Sequence, residues 1–95
     1  MNAQEFMQAH ADNAVAGKIP DVMKDLVPAA LAQVMGLMAG APNPLTSNKV
    51  VAVSQEGDDY IFDVSYFGDG GSVSMRETVR QIDGVWKIAV LTAVP

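Results

Sequence analysis

The stretch SVSMRETVRQIDGVWKI, residues 72–88, alternates apolar and polar side chains, and Val73, Met75, Glu77 and Val79 share one side of it. A carboxylate in a core-facing row must be paired, protonated or reached by water, since burial disfavours its charged form. In an apolar pocket desolvation raises the pKa of such a group, which suits a general acid or base working near neutrality. Glu77 is therefore the first candidate for chemistry. The structural alternatives are a glutamate that is merely wet, and one that pairs with a single basic side chain. His10 is the second candidate. It stands one helical turn from both Phe6 and Ala14, on the face that should meet a sheet, where it could orient or exchange a proton with Glu77. The alternative for His10 is a hydrogen-bonded residue at the edge of the core.

Around these two, the side chains predicted to line a ligand site are Tyr60, Phe62, Tyr66, Met75, Trp86 and Val90. Buried tyrosine and tryptophan need partners for their polar atoms and so can orient a ligand, although aromatic core filling explains them as well. Met7, Met23, Met35, Met38 and Met75 would add a pliable apolar wall. Asp63, Arg76, Arg80 and Lys87 fall on the opposite parity, where opposite charges can pair across strands. GDGG, residues 68–71, is a hairpin loop rather than a strand-to-helix phosphate cradle. There is no nucleophile–base triad signature and no cluster of metal ligands, so neither a metal nor a cofactor is expected.

These residues must be positioned by two kinds of element. From Ala3 to Ala16, Phe6, Met7, Ala11, Ala14 and Val15 follow helical spacing, with Gly17 as a stop. Asp21 is expected to cap a short helix running to about Leu26. Pro28 begins a third helix, PAALAQVMGLMAG, closed by Gly40; it carries no charge, so most of its circumference should be buried. Residues 41–48, APNPLTSN, read as a linker. Beyond it the period becomes two, giving strands at 49–56, 59–67, 72–82 and 85–94, joined at Gly57-Asp58, at 68–71 and at Asp83-Gly84. Asp-Gly between apolar runs is a strong hairpin signal. These turns place Val53, Phe62, Glu77 and Val90 in one row, with Val51 also inward, and put Ile61, Phe67, Ala89 and Leu91 on the outer face. The expected fold is a single α+β domain over residues 1–95, with helices at about 3–40 packed on one face of a curved four-stranded antiparallel meander.

The chain has 95 residues, 49% of them hydrophobic, with no cysteine and a formal net charge of −5. A disulfide framework is excluded, and one histidine cannot build a zinc site unaided. The negative charge and the lack of a Lys/Arg cluster oppose nucleic-acid binding. The longest uncharged stretch, Leu26 to Asn48, is interrupted by Pro28, Gly36, Gly40, Pro42 and Pro44, so no membrane span is expected. Without a basic signal-peptide start, a soluble cytoplasmic protein is the expectation. So apolar a chain in so small a domain also points to a homodimer.

HADNAVAGKIPDVMKDL resembles the first helix, glycine break and short second helix of the NTF2-like (cystatin-like, SnoaL-like) superfamily. RQIDGVWKIAVLTAV resembles its final hairpin, where a D-G-x-W-[KR]-I pattern is common. The chain departs from the family in being short, without the extra hairpin often found between the second and third helices. The resemblance implies a reduced cone with a cavity between sheet and helices, often a homodimer, and functions from isomerases and cyclases to noncatalytic binding. Three functions follow as expectations. The first is a domain binding a small apolar molecule. The second is an acid–base isomerase or cyclase using Glu77 with His10 or Tyr60, and the third is a dimeric protein-interaction module.

Overall fold

The computed structural model describes residues 1–94. Three helices, α1 (Ala3–Val15), α2 (Ile19–Lys24) and α3 (Pro28–Leu37), precede four strands, β1 (Leu45–Glu56), β2 (Asp59–Gly68), β3 (Gly71–Ile82) and β4 (Val85–Ala93). The strands form one open antiparallel sheet in the order β1-β2-β3-β4. The α+β class and the meander are as the sequence indicates. No helix among the described residues is long and apolar enough to cross a membrane.

Helix α1 starts at a capping box: Asn2 Oδ1 accepts from Glu5 N at 2.8 Å, and Asn2 N donates to Glu5 Oε1 at 2.9 Å. Ala3, Phe6, Met7, His10 and Ala11 form its buried stripe, at the spacing of one helix face. Gln8, Asp12 and Asn48 are joined by side-chain hydrogen bonds of 3.0 Å, which tie the polar flank of α1 to β1. Helix α2 begins at Ile19, three residues earlier than a cap at Asp21 implies, with Pro20 in its first turn; Asp21 lies within that turn instead of capping it. Helix α3 ends at Leu37, and only Ala30 is fully buried on it. Met35 is 72% exposed, so the uncharged α3 is not buried on most of its circumference in the single chain. The expected linker is shorter too, because β1 begins at Leu45. Residues 42–44 press on the end of β2: a Cβ at Gly68 would lie 2.6 Å from Pro44 O and 2.7 Å from Pro42 Cβ, so only glycine fits there.

The central pairing matches the expected register, with Phe67 opposite Ser72 and Phe62 opposite Glu77. At the β3–β4 turn Asp83 and Gly84 adopt φ of 53° and 77°, the positive values a type I′ turn requires. Each outer strand then departs by one residue. In β4 the pairing runs Ile82–Val85 to Val79–Ile88 and shifts, so that Thr78 faces Val90 and Glu77 faces Leu91. In β1, Gln55 faces Tyr60 and Ser54 faces Ile61, and after the shift Ala52 faces Phe62 and Val50 faces Val64. The inner row is therefore Ala52, Phe62, Glu77, Leu91, not Val53, Phe62, Glu77, Val90. Leu91 is 2% exposed, while Val51 and Val53 are 44% and 43% exposed. The physical reason is that both segments, Val50–Val53 and Ile88–Leu91, are apolar on both parities. Alternation alone cannot set their facing, and a bulge bends the strand at little cost in burial.

The middle of the outer edge of β4 is engaged. Ile88 N donates to Asp25 O at 2.8 Å, and Val27 N donates to Ile88 O at 3.1 Å, making a parallel bridge between Leu26 and Ile88. Further along, Leu91 N donates to Gln33 Oε1 at 2.8 Å. This clamp fixes the segment between α2 and α3, and with it the position of Asp25.

Candidate functional site: a cavity between helices and sheet

A cavity of about 370 Å³ lies between the helices and the inner sheet face. Its floor is made of buried residues: His10 from α1, Leu26 from the clamp, Tyr66 from β2, and Met75 and Glu77 from β3. Ile19, Met23 and Met35 also line it but are 54%, 45% and 72% exposed, so they mark its mouth, between α2 and α3. The remaining wall is aliphatic, from Ala14, Val22, Leu31, Val34, Met38 and Leu45. A second depression of about 430 Å³, at the other end of the sheet beside Asn2, Gln4 and Ser54–Gln55, opens to solvent and holds no buried ionisable group.

Glu77 is 1% exposed, and its Oε2 has no hydrogen-bond partner among the described residues. Burial pushes its pKa up to about 8, so the carboxyl is largely protonated at neutral pH. His10 is 4% exposed, with Nδ1 2.9 Å from Asp25 Oδ2. Burial lowers its pKa, and the bond to Asp25 and that residue's charge oppose the shift only in part. A neutral imidazole that donates from Nδ1 to Asp25 keeps the lone pair on Nε2. The Tyr66 phenol is pushed well above its ordinary range, first by burial and then by the charges of Glu77 and Asp12, and stays protonated. The site thus combines a neutral acid, an oriented neutral base and a phenol in an apolar enclosure. Among the described residues no three His, Cys, Asp or Glu side chains are grouped as metal ligands.

The structure brings Glu77, His10, Tyr66 and Met75 to this one cavity, together with Met23, Met35 and Met38. Met7 is fully buried core. Tyr60, Phe62 and Trp86 line the second depression instead; Tyr60 and Trp86 meet edge to face at 5.7 Å, and Trp86 Nε1 donates to Met1 O at 3.0 Å. Val90 is opposite Thr78 on the outer face, turned there by the β4 bulge. Asp25 was not legible as a site residue. It reaches His10 only because the backbone clamp on β4 holds it there, and that is a tertiary contact without a sequence motif. On the outer face Arg76 grips Asp63 through two bonds of 2.8 and 3.0 Å, and Arg80 grips Asp59 through two of 3.0 Å. The Arg76 bond holds the Asp63 carboxyl below its usual range. Lys87 donates to Lys24 O. No protein-family model, curated protein or solved structure matches the chain.

Proposed function

We propose that this chain is a reduced NTF2-like domain that binds a small, mainly apolar molecule in the cavity between helices and sheet. The observation that carries this reading is the unpartnered Oε2 of Glu77, set among aliphatic and methionine side chains. A buried polar atom without a partner costs stability, and a ligand that supplies the partner recovers it. Nile red tests the reading. Its fluorescence should rise on binding and fall when decanol competes. Ala14→Trp, which fills the cavity from α1, should remove the response while leaving the far-UV spectrum intact. Unchanged dye binding by that variant would refute the site.

A second reading is an acid–base isomerase or cyclase with Glu77 as the proton-transfer group. It is favoured by a carboxyl whose pKa burial pushes up to about 8, in the same cavity as an imidazole held by Asp25. Its test is deuterium incorporation at the α-carbon of a β,γ-unsaturated cyclohexenone, followed by NMR. The wild type should accelerate exchange and Glu77→Gln should not; equal rates would end the enzymatic reading. The third reading, a dimeric interaction module, draws on the exposed face of α3 and the apolar residues of the outer sheet face.

A further inference from the structure

The polar groups of the cavity restrict what can occupy it. Glu77 Oε2 is buried and unpartnered. His10 gives Nδ1 to Asp25, so the atom left for a ligand is the Nε2 lone pair. No lysine or arginine lines the cavity. With Glu77 ionised the floor presents acceptors at Glu77 Oε2 and His10 Nε2, and the Tyr66 hydroxyl oxygen can accept as well. We propose that the cavity takes an apolar amine, bound as its ammonium ion, with N–H groups donated to Glu77 Oε2 and His10 Nε2 and the hydrocarbon leading out between α2 and α3. This rests on the ligand-binding reading above and names its ligand class.

Three features favour an ammonium over other polar ends. It offers three donors, and its positive charge favours the ionised form of Glu77, whose oxygens then only accept. An alcohol brings no charge to favour the carboxylate form of Glu77, and an anionic ligand would disfavour that form further. Folding has already stripped water from Glu77, so the ligand encounters a desolvated acid whose charged form lacks only a counter-ion. The chain's net charge of −5 favours the approach of a cation over that of an anion. The exposed Ile19, Met23 and Met35 at the mouth of the cavity suit the emerging hydrocarbon. The protons balance simply. The ammonium keeps its own, Glu77 changes from carboxylic acid to carboxylate, and the proton it loses passes to the buffer.

The test is titration calorimetry at pH 7 with decylamine, decanol and decanoate, repeated in two buffers of different ionisation enthalpy. Decylamine should bind one to one, at least about tenfold more tightly than decanol, with decanoate weakest and about one proton released per amine bound. In Glu77→Gln the preference for the amine and the proton release should vanish while decanol still binds. If wild-type protein binds decanol as tightly as decylamine, or if the amine preference survives in Glu77→Gln, the amine assignment is overturned and the apolar-ligand reading stands. If none of the three binds, both are overturned.

Discussion

Glu77 has a folded-state pKa of about 8 against an ordinary value of 4.5, so between these values the folded chain holds a proton that the unfolded chain has released. Stability contributed in this way is complete below the unfolded value and is lost as pH rises through the folded one. His10 acts with the opposite sign: its folded value is below 6.5, so stability is lost as pH falls beneath 6.5 toward that value. Above pH 6.5 Glu77 acts without that opposition. Urea unfolding of the wild type at pH 6.5 and pH 8 should show a loss approaching about 1.4 kcal/mol per pH unit, and Glu77→Gln should lose much less. A wild-type curve as flat as the variant's would mean that the carboxyl is not desolvated. Asp25 carries a second prediction. Asp25→Ala strands the buried Nδ1–H of His10, which should cost roughly 1–3 kcal/mol. In the wild type, nitrogen NMR of His10 should show the neutral tautomer protonated at Nδ1; protonation at Nε2 instead would reverse the donor assignment.

At the scale of elements, the two bulges decide which apolar residues are core. In β4 one additional residue separates Ile88 from Val90, so deleting Ala89 should regularise the pairing and leave Ile88, Val90 and Leu91 on their present faces. This deletion should cost about 1–2 kcal/mol, whereas deleting Arg76 in the regular β3 should prevent folding, because it reverses the facing of half a central strand. Thermal melts of the two deletions check the contrast. The same local fact marks how far the sequence could be read. Glu77 was legible as buried because Val73, Met75 and Val79 are apolar while Ser74, Arg76, Thr78 and Arg80 are polar, so one parity was clearly internal. The exposure of Val51 and Val53 and the burial of Leu91 were not legible, since their neighbours are apolar in either setting. His10 was placed by its spacing from Phe6, whereas its bond to Asp25 depends on a backbone bridge between segments more than sixty positions apart, which no periodicity encodes.

For the whole molecule, large apolar side chains are left exposed on the outer sheet face. Val51 and Phe67 on the outer sheet face are 44% and 38% exposed, and Ile61 and Val90 are half-buried beside them. Leu91, expected in this patch, is turned inward, and Val90 stands in the patch instead. We propose a homodimer through this face, with the Asp63–Arg76 and Asp59–Arg80 pairs setting its register. Sedimentation at micromolar concentration should give the mass of two chains. Val51→Lys should weaken the association by at least about tenfold by placing two uncompensated cations in the contact. A wild type that sediments as one chain throughout that range rules the dimer out.

The clamp on β4 also limits how copies of this sheet can be joined end to end. Main-chain groups in the middle of that strand's outer side are engaged by Asp25, Val27 and Gln33, while the outer side of β1 has no strand beside it. A continuous sheet built from several molecules needs two open sides on each, one to give and one to receive. This molecule offers one. Joining through β1 therefore consumes the available side of both participants and stops at a pair, so the fold has a built-in end to fibre growth.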